Sequence, residues 1–285
     1  MSSVGVIVQY ALREALRRKV FAVVLLLTVA FLGLFWLATH FVHDELDTIT
    51  PPSDVPVDSR TFAGAFLLGL AMFATLFLGV VLAVFLTLGV VSGDAERGLL
   101  QPLVVRPIGR STLLLSRFLA AAGVCAAYVL AVYFAALVIV GLTLHWWPAA
   151  IVGPGLELAL GVLIVIALSL LGSVVLSATA NGIAVFMLFG AGLVAGLLGT
   201  IGHALGSHQI RHASTIASWA LPFEGLYQDG LRLISRDASG TTSFLLQLGP
   251  FGGGYVHGWT IRVWAGAYLV LALAAAVAAF ARRNL

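Results

Sequence analysis

The sequence predicts an all-α integral membrane protein with six transmembrane helices, on three observations. The chain has 285 residues, of which 61% are hydrophobic and 9% charged, where soluble chains carry about 25% charged residues. Its mean hydropathy is +1.08. No soluble fold of this size can hide so much apolar surface, so the solvent must be lipid. Second, the apolar residues fall into six runs, 20–42, 62–91, 118–144, 158–178, 183–201 and 263–281, none holding Asp, Glu, Lys or Arg. Each is close to the roughly 20 residues that a span needs. Third, the runs are too long for barrel strands and lack barrel alternation. Residues 1–285 read as one transmembrane domain.

Taken in order, residues 4–19 place Val4, Ile7, Val8, Ala11, Leu12, Ala15 and Leu16 at helical spacing, with charges between them. A basic amphipathic helix of this kind lies in the headgroup layer. The same basic residues also serve as topology anchors. The first span is too long for a signal-peptide core and is not followed by a small-x-small cleavage pattern, so it is expected to stay attached. The loop after it is acidic, with Asp44, Glu45, Asp47, Asp54 and Asp58. Basic residues cluster before span one (Arg13, Arg17, Arg18, Lys19), after span two (Arg97, Arg106, Arg110, Arg117) and after span six (Arg282, Arg283). Basic loops stay in the cytoplasm, so both termini are expected inside and the acidic loop outside. The pI near 9.4 then reports topology, not nucleic acid. Trp146-Trp147-Pro148 predicts an interfacial anchor, and Thr179–Gly182 a tight turn between spans four and five. Residues 213–233 predict one or two helices lying at the outer surface or dipping into it. The single cysteine, Cys125, permits no intramolecular disulfide.

Several chemistries are excluded. The only lysine, Lys19, follows Arg18, so there is no phosphate-binding P-loop. H-E-x-x-H, C-x-x-C and G-x-S-x-G are absent. The six runs lack the acids and bases of ion-coupled transporters and pumps. Energy for any uphill movement must therefore enter from a partner. His203, His208 and His212 raise a metal question, since His208 and His212 would share a helix face. No carboxylate or cysteine stands near them in sequence, and no metal ligand or catalytic residue is assigned.

Between spans two and three, SGDAERGLLQPLVVRPIGR puts Asp94 and Glu96 ahead of an aliphatic group, Leu99, Leu100, Leu103, Val104 and Val105. Acids are favourable at a helix start. Five aliphatic residues exceed what a solvated loop needs. They suit a short amphipathic helix pressed on another protein, or one tucked under its own bundle. Span five holds Gly192 and Gly196 in a G-x-x-x-G, which suits close helix approach, either within the chain or at a dimer seam. Phe73, Phe77, Phe186 and Phe189 could line an apolar route, or face lipid and core.

The same segment resembles the type-2 family of ABC transporter permeases, membrane subunits of the type V exporter fold. Their signature reads roughly E-x-E-x-G-T-L-x-x-L-L-x-x-P-[VI]-x-R; Asp94, Glu96, Gly98, Leu100, Leu103, Val104, Pro107, Ile108 and Arg110 fall at matching positions. Leu99 replaces the usual Thr, Pro102 a usual Leu, and Ser116-Arg117 a Gly-Lys pair. LPFEGLYQDGLRLI is similar to the outer-loop helix of the subfamily that includes the permease of nitrous oxide reductase copper-site assembly. The resemblance implies a coupling helix between spans two and three and outer re-entrant helices between spans five and six. It implies a second permease copy or homologue and a separate cytoplasmic ABC ATPase that binds ATP and Mg, with no cofactor on this chain. Asp94, Glu96, Arg97, Gly98, Arg106, Pro107 and Arg110 would form the ATPase-coupling surface, and spans two and five would line a cleft. The expected location is a bacterial inner membrane. Rival readings are a metal-dependent membrane enzyme using the His-rich outer loop, and a scaffold that transmits force without moving cargo.

Overall fold

The structure, a computed structural model, describes residues 19–48, 59–88, 110–236 and 258–282. Among the described residues there are eight helices and no strand: α1 (Lys19–Thr48), α2 (Ser59–Thr87), α3 (Arg110–Leu144), α4 (Gly153–Val175), α5 (Ala178–Ala204), α6 (His208–Ala220), α7 (Pro222–Ile234) and α8 (Gly258–Arg282). All except α6 and α7 are long and apolar enough to cross a membrane. The chain is a multi-pass membrane protein. The spans alternate in direction, so the links 48–59, 144–153 and 204–258 share one end, here called distal.

α4 lies at the centre, packed against α2, α3, α5, α7 and α8. α2 and α4 are the most buried spans, α1 and α8 the least. Small residues permit the close approaches. Gly155 of α4 sits against the Tyr133 ring of α3, and Tyr133 donates its hydroxyl to the Ile151 carbonyl at 2.9 Å. α1 is tied to α3 by the Thr28–Tyr128 hydroxyl pair at 2.6 Å. The tryptophan pair of the 144–153 link folds back on the bundle. Trp146 packs on Gly64 of α2, while Trp147 lies over Gly141 and remains half exposed.

Two expectations need correction. The turn between spans four and five falls at Leu176–Ser177, and Thr179–Gly182 form the start of α5. Asn181 is drawn into the helix because its side chain is buried: its amide donates to the Ser169 carbonyl at 2.9 Å, beside the 2.7 Å bond from Thr87 to the Ser169 hydroxyl. Those bonds join α2, α4 and α5 at the end opposite the distal one. The absence of charge from the spans also fails. α4 and α8 extend beyond their apolar runs to include Glu157 and Arg262, and both belong to a buried ionic cluster.

Candidate functional site in a helical hairpin

α6 and α7 form a hairpin inserted among the spans. α6 runs back along α5, with Ile210 and Arg211 beside Gly202 and the Ser214 hydroxyl donating to the Ala195 carbonyl at 2.7 Å. The chain reverses at Leu221, and Pro222 starts α7, where a missing N–H is no loss. Phe223 is at the tip. It packs beside Gly161 of α4 and Gly192 of α5, with its ring 5.8 Å from that of Phe189. Gly192 lies twelve residues from the distal end of α5, so the tip is about 18 Å deep at 1.5 Å per residue. Eleven of the thirteen residues of α7 are buried, an unusual degree for a segment with two acids and an arginine.

Charge is neutralised near the mouth. Arg262 of α8 places Nη2 2.7 Å from Asp229 Oδ2 and Nε 2.7 Å from Glu157 Oε1. Its Nε donates to Asp229 Oδ2 at 3.0 Å. Arg232, one turn along α7, donates to Asp229 Oδ1 from Nε at 2.9 Å and from Nη2 at 2.7 Å. Two acids meet two arginines, so the cluster is balanced. It clamps α7 to α4 and α8. Asp229 is 1% exposed and has four aligned donor contacts. Glu157 lies within ion-pair distance of Arg262, yet neither of its oxygens has an aligned hydrogen bond among the described residues. Charges taken out of water need such pairing to be tolerated.

Deeper, Glu224 is 2% exposed and accepts one hydrogen bond, from Gln228 Nε2 to Oε1 at 2.8 Å. Its Oε2 and the Gln228 Oε1 have no hydrogen-bond partner among the described residues. Gly196 of α5 leaves the space that the Glu224 carboxyl fills. Burial pushes that carboxyl up to about 7, against the lowering effect of the Gln228 hydrogen bond. The Tyr227 hydroxyl reaches the Gly69 carbonyl of α2 at 3.3 Å.

The sequence-predicted residues divide into two groups. Asp94, Glu96, Arg97, Gly98, Arg106 and Pro107 lie outside the described residues, as does the interfacial helix up to residue 18; Arg110 opens α3. Gly192 and Gly196 face Phe223, Glu224 and Gln228 within the chain. Phe189 is buried between Phe223 and Phe77, with the Phe77 ring 6.2 Å away. Phe73 meets Tyr227 edge-on at 6.3 Å, and Phe186 is partly buried on the same core. Phe73, Phe186 and Phe189 pack in the core between α2, α5 and the hairpin, while Phe77 is exposed at its edge. His208 and His212 are exposed on α6. Glu157, Glu224, Gln228, Asp229, Arg232 and Arg262 escaped the sequence reading. For Glu224, Gln228, Asp229 and Arg232 the available signal was the i, i+4 and i, i+3 spacing of polar residues in PFEGLYQDGLRLI.

No family model matches the chain, and no curated protein matches it.

Proposed function

We propose that the chain is the permease subunit of an ATP-driven ABC exporter, noncatalytic by itself. In this reading it pairs with a second permease and sits on cytoplasmic ABC ATPase subunits that bind ATP and Mg. It lies in a bacterial inner membrane with both termini in the cytoplasm and the hairpin on the outer side as re-entrant helices. The observation that carries the reading is the run from Asp94 to Arg110, matching the permease signature in spacing, on a chain with six candidate spans. The run joins α2, the most buried span, to α3, so a push on it reaches the centre of the bundle. α2 keeps one outward stripe, Phe66, Leu70, Phe77 and Phe85, an uncharged wall suited to a lipid, drug or peptide more than to a bare ion.

Co-purification tests the proposal. The chain is expressed with the ABC ATPase encoded beside its gene and purified in mild detergent, alongside Glu96→Ala plus Arg97→Ala. Co-elution weakened by the double substitution is the expected result. An ATPase that never co-elutes removes the energy source and defeats the reading.

A further inference from the structure

We propose that Glu224, at the inner end of the inserted hairpin, is a proton-binding site, and that its proton holds the hairpin in place. The geometry carries this. Glu224 is 2% exposed, its carboxyl lies against Gly196 of α5, and the helix that carries it packs against α2, α4, α5, α6 and α8. Its Oε2 and the neighbouring Gln228 Oε1 are two acceptors without a donor among the described residues. A single proton on the carboxyl supplies the missing donor. A methyl group added at Gly196 would overlap Glu224 Oε1 and come within 3.2 Å of Gln228 Nε2, so the carboxyl is in atomic contact with α5 on that side.

No described cation can neutralise the carboxylate instead. α2 and α5 offer glycines and aromatic rings at this level. On α4 the charged neighbour is Glu157, another acid, and on α8 it is Arg262, committed to Glu157 and Asp229. On α6, Arg211 turns back to the Ser207 carbonyl, and His208 and His212 are exposed. On α7 itself Arg232 binds Asp229, and Tyr227 is a neutral phenol directed at Gly69. An ionised Glu224 would thus sit in a low-dielectric pocket with one amide for company, a state that is unfavourable unless the group neutralises or moves. Losing the proton therefore favours withdrawal of the hairpin toward water. The inference stands whether or not the chain pairs with an ATPase.

The full chain, in detergent or nanodiscs, is followed by infrared difference spectroscopy as pH rises, reading the carbonyl stretch of protonated carboxylic acids. Thermal unfolding is read in parallel. The wild type is expected to show an acid carbonyl band that bleaches with a midpoint near 7 and an unfolding midpoint that falls as pH rises from about 4.5 to about 7. Glu224→Gln, neutral at all pH values and read also in a Glu157→Gln background so that the second buried carboxyl adds no band of its own, is expected to lack the band and the fall. A wild type with no such band, or a Glu224→Gln chain that keeps it, overturns the proposal. If Glu224→Gln does not fold, Glu224→Asp decides. Its shorter carboxyl must shift the band or the midpoint, and an unchanged titration counts against the site.

Discussion

Arg262 holds two buried acids on two different helices, so its removal is the sharpest test of the ionic clamp. Arg262→Met keeps the apolar stem and deletes the charge. Asp229 retains Arg232, which donates twice to Oδ1. Glu157 retains nothing among the described residues, since Arg262 is its ion-pair partner and its oxygens have no aligned donor. Removing one partner of a buried ion pair costs about 3–5 kcal/mol. Arg262 is 32% exposed at the side chain, so water screens part of this, and about 2–3 kcal/mol is the expected loss. Glu157→Gln added to Arg262→Met removes the stranded charge and should recover about 1–2 kcal/mol, a coupling that a double-mutant cycle isolates. Thermal unfolding of the purified chain in one detergent gives the ranking: wild type highest, Arg262→Met lowest, the double variant between. An Arg262→Met chain as stable as the wild type, or a double variant no better than the single one, refutes the clamp.

Raising the pH should weaken the chain through Glu224. Its carboxyl moves from the ordinary 4.5 to about 7 on burial, so the folded chain holds a proton that the unfolded chain releases. The resulting loss begins near pH 4.5, is complete above about pH 7, and amounts to about 3 kcal/mol; unfolding midpoints across that window check it. Gly196→Ala pushes a methyl group into the Glu224 carboxyl and should cost about 1–3 kcal/mol. Gly190→Ala, on the same span with open space at its Cβ, should be neutral or stabilise by up to about 1 kcal/mol. Tyr128→Phe removes the hydroxyl that meets Thr28 and should lower stability by about 1 kcal/mol, as thermal unfolding would show.

The bundle was legible because lipid makes one demand of every span, about 20 consecutive apolar residues, and that demand can be read locally. The same criterion hid the clamp. Cutting span four at Leu158 and span six at Val263 left Glu157 and Arg262 just outside each boundary, although both helices continue through them. Pairing could not be inferred from spacing either, since Asp229 lies 33 residues from Arg262 and Glu157 farther still. The hairpin was half legible. Residues 213–233 carried helical spacing and a proline, which predicted one or two helices at or below the surface. Its depth depends on Gly69, Gly161, Gly192 and Gly196 from three spans, and such convergence leaves no trace in any single window. Asn181 read as a turn residue by its type, yet its partner is Ser169 across the real turn. For Asp94 to Pro107 the spacing alone speaks, since they lie outside the described residues.

The clamp also sets an order of events during synthesis. Glu157 emerges from the ribosome with the fourth span and Asp229 with the hairpin, but the arginine that joins them arrives only at the start of the sixth. Until then Asp229 has Arg232 alone and Glu157 lacks its ion-pair partner, so burial in lipid is costly for Glu157 above all. The hairpin therefore has reason to wait in the aqueous phase and to seat last, after α8 has entered. A nascent chain cut short of residue 262 would carry five spans and a Glu157 without the ion-pair partner that the finished protein gives it.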